Sequence, residues 1–332
     1  MESEKNELWE KKRLEELRDG DSVVTPGGDI SKQKFPPWFD EKKFERAKEV
    51  YRDHFAAINF GHLCGLLLSF YFTKNIKTLL STGESSSKNA LFHRYLMTIR
   101  HIQKWYEGNV WDVNDPAHRS ISIVRSMHAR IAQKMTALND GIVYVSQWDM
   151  ALTQWAFVGP IVLFRSRVGL HGCTDDDYDA VIHFWRAIGY LLGIEDKYNL
   201  CHGTYDQVLR ACERVLHKEY KVRVSEEDPI SVHMGKSVVE ALHMMDELLT
   251  WPSMSTYIHE LADIPCPDTM SLLDWICHNL MRFMMLYVLQ VEKFRLMFND
   301  LVRWRLNKAD KIDLGLMKEG RRSHNPSTVT AG

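Results

Sequence analysis

The sequence predicts an all-α protein, and three observations carry that prediction. From about residue 36 to 306, apolar residues recur at intervals of three and four with almost no period-two alternation. Helix start signals punctuate the run: Asp115 before Pro116, Ser146, the acidic turn from Asp175 to Asp177, and Ser271. Ten tryptophans and fifteen methionines suit a deep, adaptable apolar interior.

Taken in order, the first 35 residues are charged and lead into the Gly/Pro-rich run VTPGGDISKQKFPPWFD. They read as a flexible tail and linker. Helical periodicity then marks 40–61, 62–80, 87–107, 116–138, 145–169, 175–193, 204–220, 229–251, 253–263 and 269–305. Pro160, inside the apolar run FVGPIVL, predicts a kink. Residues 307–332 are polar and rich in Lys and Arg, and read as a disordered tail. The expected organisation is one helical domain, 36–306, between two tails.

Bulk properties narrow the function. A net charge of -2 gives no pull toward nucleic acid. Six cysteines without a CxxC pair form neither a disulfide framework nor a zinc site, and suit a reducing compartment. The charged start is not a secretory signal, so a cytoplasmic protein is expected. Two apolar stretches, 56–72 and 272–291, carry interior polar residues and read as core helices rather than membrane spans. Contact at the periphery of a membrane, such as that of the endoplasmic reticulum, stays open.

The most informative motif is SIVRSMHARIAQKM, residues 122–135. It places His128 in the apolar stripe formed by Ile121, Val124, Ile131 and Met135, with Arg125 one turn behind. Such a histidine either satisfies itself with hydrogen bonds in a core or ligates a metal or haem iron. Arg125 would pair a haem propionate or meet a carboxylate. One predicted helix earlier, FHRYLMTIRHIQKW sets Arg94, Thr98 and His101 on a polar stripe. That stripe is either an exposed face or a cavity wall offering a cation and a hydroxyl. Trp148, Leu152 and Trp155 read as core, with Asp149 and Thr153 hydrogen-bonded locally, and His183 and Arg186 as a packed polar network. Glu240 and His243 form a lone ExxH element, short of a di-iron set. No HExxH, P-loop, GxGxxG or CxxCH motif occurs.

Together HRYLMT, SIVRSMHARI, WDMALTQWAFVG and HFWRAIGYLLGI resemble, in order and separation, the catalytic domain shared by latex-clearing rubber oxygenases and the endoplasmic-reticulum-bound oxygenase of mycophenolic acid biosynthesis. The resemblance implies a globin-like helical core around haem b, with His128 as proximal iron ligand and Arg125, Arg94 and Thr98 beside the haem. It implies an oxygenase that uses O₂ on a hydrophobic, unsaturated substrate of isoprenoid type, cleaving a carbon–carbon double bond. The sequence departs from the rubber enzymes at Met97, where they carry a lysine that caps iron, and at Ala132, where they carry an arginine. Met97 would either coordinate the iron or pack. Two other readings stand beside the enzyme: a haem-binding sensor or electron-transfer protein without turnover, and a cofactor-free helical interaction protein.

Overall fold

The computed structural model describes residues 2–82, 87–139 and 141–323. Its helices are α1 (Glu2–Arg18), α2 (Glu41–Asp53), α3 (Phe55–Ser69), α4 (Thr73–Ser81), α5 (Lys88–Glu107), α6 (Pro116–Leu138) and α7 (Gln147–Leu163). They continue with α8 (Asp175–Leu192), α9 (Tyr205–Val215), α10 (Lys221–Ser225), α11 (Pro229–Leu242), α12 (Trp251–Ala262), α13 (Leu272–Leu286) and α14 (Glu292–Ser323). Among the described residues, β-pairing is confined to an isolated bridge between Val24 and Ser146.

Local chemistry explains the starts. Asp40 caps α2 by accepting from the amides of Lys42 and Lys43, and Asp115 caps α6 ahead of Pro116. Reciprocal capping boxes open α7 (Ser146 with Asp149), α8 (Thr174 with Asp177), α9 (Thr204 with Gln207) and α13 (Ser271 with Asp274). Gly193 ends α8 in the left-handed region at φ 101°, a conformation glycine adopts without strain.

Helix α3 is apolar on nearly every side and forms the centre of the molecule against α7. The closest approach is at Gly65, where any Cβ would fall 1.8 Å from the carbonyl oxygen of Ala156. Around this pair, α2 packs on α8, α5 on both α6 and α11, and α12 on α13. Tyr51, Tyr106 and Phe184 stack in series with centroids 4.0 Å apart, tying α2, α5 and α8 together.

Several expectations change. The stretch expected as a flexible N-terminal tail is a docked helix and arm: Leu14 and Leu17 are buried, and Arg13 donates to the carbonyls of Lys197 and Asn199. Residues 307–323, expected to be disordered, continue α14, with Leu306, Ala309 and Asp313 buried; 324–332 lie outside the described residues. The run 40–61 breaks at His54, and the next run ends α3 at Ser69, from which α4 turns away by 98°. The run 269–305 is divided by a 3₁₀ turn at Val288–Gln290. Pro160 falls in the last turn of α7, so its missing amide releases the Ala156 carbonyl near the helix end.

Candidate functional site

Helices α5 and α6 form a hairpin that carries all five candidate residues. The hairpin is pinned near its loop by Ser120, whose hydroxyl meets His101 Nδ1 at 2.6 Å and accepts from Trp105 Nε1 at 2.9 Å. His118 adds a 2.8 Å bond to the Val110 carbonyl. Counting back along antiparallel partners from His101 and Ser120 brings Arg94 about level with Met127 and His128. Helix α4 completes the group, because its C-terminal carbonyls are held from both sides. Arg94 donates to Leu79 O and Thr82 Oγ1, and Lys134 donates to Ser81 O.

His128 is half-buried, with Nδ1 fully enclosed, and makes no hydrogen bond among the described residues. Burial alone lowers its pKa to about 4, so the ring is neutral at pH 7. A neutral imidazole without a protein partner is the form that donates to a metal. Its location in the stripe is therefore not that of a histidine satisfied by core hydrogen bonds, which cost little to keep; an enclosed unpaired nitrogen costs stability.

The neighbours are disposed differently from what the resemblance implies. Arg125 is buried and spent on backbone: Nη1 donates to Leu191 O at 2.9 Å and Nη2 to Gly27 O at 3.0 Å, with Nε enclosed and unpartnered. It thus ties the end of α8 and the N-terminal arm to α6 instead of pointing to an anionic group. The arm closes so tightly that a Cβ on Gly27 would meet Ala129 Cβ at 2.6 Å. Thr98 donates to Arg94 O one turn back. Met97 is half-buried and packs against the apolar core. His101, read as part of a polar stripe, belongs to the hairpin pin. Two surface clefts of ≈ 520 and ≈ 410 Å³ lie elsewhere; neither is lined by His128, Arg94, Met97 or Thr98.

The other polar motifs are structural. Thr153 donates to the Asp149 carbonyl, and Asp149 pairs with Lys74 at 3.0 Å inside the α7 capping box. His183 accepts from the Asp40 amide, and Arg186 grips Asp196. Sequence reasoning passed over His62 on α3. Both of its ring nitrogens are enclosed without partners, its edges meet Phe157 and Trp185, and burial lowers its pKa to about 3. Its only local signal was a polar break in an apolar run.

The sequence profile of the ER-bound oxygenase mpaB/B′/rubber oxygenase catalytic domain matches residues 50–290. The chain belongs to this family. A solved structure of latex clearing protein in its closed state superposes with TM-score 0.60 at 15% identity, covering 83% of this chain and 76% of that one. At that identity the likeness establishes the shared all-helical fold. No curated protein matches the chain in sequence. The matched range contains Arg94, Met97, Thr98, Arg125 and His128, and membership makes this an oxygenase-family catalytic domain.

The donor set fits haem at one position. His128 supplies a neutral, partnerless imidazole on the helix and at the spacing the resemblance assigns to the axial ligand. Among the described residues, no cluster of three His, Cys, Asp or Glu side chains could hold a bare metal ion.

Proposed function

We propose that this chain is a haem b-dependent oxygenase acting on a hydrophobic, unsaturated substrate, with His128 as the protein's iron ligand. The observation that carries this reading is the neutral ring of half-buried His128, whose enclosed Nδ1 has no hydrogen-bond partner among the described residues. The substrate class, an isoprenoid-like chain cleaved at a double bond with O₂, follows the sequence resemblance, and the family description names rubber oxygenase. Haem iron, when bound, supplies the oxygen chemistry.

The chain's own residues have separable tasks. His128 would hold the group from α6, and burial keeps its ring deprotonated for that role. Arg94, through Leu79 O and Thr82, keeps α4 closed on α5. Thr98 spends its one hydroxyl proton on Arg94 O and keeps oxygen lone pairs for a donor in the site. Met97 packs against the apolar core, which commits its side chain to that contact. Arg125 positions α6 by holding the arm and α8.

The engagement of Arg125 with backbone carbonyls also favours a second reading, a helical protein that kept the fold without the cofactor. One spectrum separates the two. Protein loaded with haem and reduced is expected to show a Soret band that shifts under CO, and His128→Ala is expected to lose or displace that band. A wild-type protein that takes up no haem, or a band indifferent to His128→Ala, overturns the ligand assignment.

A further inference from the structure

The outer face of α13 and the first half of α14 is apolar and uncovered. On α13, Leu272 is 76% exposed and Leu273 65%, with Trp275, Ile276, Leu280 and Phe283 also open to solvent. Tyr287 and Val291 carry the stripe across the turn, and Phe294, Met297, Leu301 and Trp304 continue it along α14. The spacing from Leu273 to Trp304 is three and four throughout, so one side of each helix is apolar by sequence. Exposed apolar patches of more than a few hundred Å² mark interaction sites on soluble proteins.

We propose that this face lies on the surface of an anionic phospholipid bilayer, with α13 and α14 resting in the plane of the headgroups. The lysines at the end of the stripe point to the occupant. The apolar stripe of α14 runs directly into Lys308 and Lys311 at the same three-and-four spacing, and Lys293 flanks its start. All three lysines are exposed and none forms an ion pair among the described residues. Lys308 lies over the Trp304 ring, 5.6 Å from its centroid. Aromatic rings with adjoining lysines, above a face of Leu, Ile and Phe, are the composition of a helix seated at a lipid interface, where the amines reach the phosphates. The stripe is interrupted by the 3₁₀ turn and the extended Val291, which denies a partner helix one continuous seam.

Helix α13 rests on the bilayer and does not cross it. Although α13 with the turn that follows it, Leu272–Gln290, is long and apolar enough for a span, Cys277, His278, Met281 and Met285 bury its other face in the protein. Arg282, paired with Glu260, sits at its middle.

The test is flotation of the full-length protein with vesicles of phosphatidylcholine alone or mixed with phosphatidylserine. The wild type is expected to float with the mixed vesicles and less with phosphatidylcholine, and its tryptophan emission to shift to the blue. Because the altered side chains are exposed, Ile276→Asp/Phe283→Asp/Met297→Asp is expected to keep the helical circular-dichroism spectrum and stay in solution. Replacing Lys293, Lys308 and Lys311 by alanine is expected to weaken binding to mixed vesicles by about fivefold per lysine. A wild type that stays unbound overturns the proposal. So does a wild-type dimer, by sedimentation, that the triple aspartate variant converts to monomer without any vesicle binding.

Discussion

His128 and Arg125 are neighbours on one helix with opposite relations to stability. His128 contributes a buried nitrogen that no described residue satisfies, whereas Arg125 donates to the buried Leu191 carbonyl and the partly buried Gly27 carbonyl. Removing the first relieves an unpaired polar atom; removing the second leaves a buried carbonyl without its donor. In haem-free protein, His128→Leu is therefore expected to raise the urea midpoint or leave it unchanged, a gain of up to about 1–3 kcal/mol. Arg125→Ala is expected to lower stability by about 2–4 kcal/mol, and Arg125→Lys to rescue little because one amine cannot span both acceptors. Equal loss in both variants would show that His128 is held by contacts the fold needs. The residue types at this site were legible in the sequence, since R-x-x-H at helical spacing is a local pattern. The bonding of Arg125 was not: its acceptors lie 66 residues downstream and 98 upstream, beyond any periodicity.

At the scale of elements, two glycines one turn apart on α3 separate propensity from packing. Alanine at either position gains helix propensity of about 1 kcal/mol over glycine. At Gly61 the new Cβ meets Ile161 Cγ1 at 3.4 Å and Val168 at 3.8 Å, ordinary contacts that a side chain adjusts to. At Gly65 it would lie 1.8 Å from Ala156 O and 2.6 Å from Ala156 C, backbone atoms of the central helix that cannot step aside. Pro160 has already freed that carbonyl of its helical donor, which lets α3 approach this closely. Gly61→Ala is expected to leave thermal stability level or raised. Gly65→Ala is expected to cost about 1–3 kcal/mol or more, by pushing α3 off α7. A Gly65→Ala melting temperature equal to that of Gly61→Ala would refute the close crossing. Helix positions of this kind were readable from apolar spacing, and the capped starts at Asp115, Ser146 and Ser271 fell where their residue types put them. The breaks at His54, after Ser69 and at Val288–Gln290 carry no glycine or proline, so tertiary packing alone sets them. Helix α1 was misread for a related reason: its few anchors, Arg13, Leu14 and Leu17, are hidden in a charged sequence and bind residues from the far half of the chain.

Over the whole molecule, buried histidines set how stability responds to pH. Burial lowers the pKa of His54, His128 and His183 to about 4 and of His62 to about 3, and also depresses His101. His259 goes the other way. Burial pulls it down, but bonds to Cys266, the Ser255 carbonyl and Glu227 outweigh that and raise it to about 9. Its two nitrogens face the Ser255 carbonyl at 2.8 Å and Glu227 Oε1 at 2.7 Å, an arrangement only the imidazolium satisfies fully. The signs follow from proton counting. Below pH 6.5 the unfolded chain protonates the depressed histidines while the folded chain holds them neutral down to about 4, so stability falls as the solution is acidified. The His259 contribution is complete below pH 6.5 and fades as pH rises to about 9. Several groups act on the acid side against this one on the alkaline side, and each buried neutral ring adds a slope of up to about 1.4 kcal/mol per pH unit. Urea unfolding across pH 4.5–9 is therefore expected to give a profile highest near neutrality, with the acid limb the steeper. His62→Leu, which deletes a proton acceptor that makes no hydrogen bond, is expected to flatten that acid limb by about one proton. An acid slope unchanged in His62→Leu would mean that the ring at the centre of the molecule is reached by water, and that α3 does not close on α7 and α8 as tightly as its contacts with Phe157 and Trp185 require.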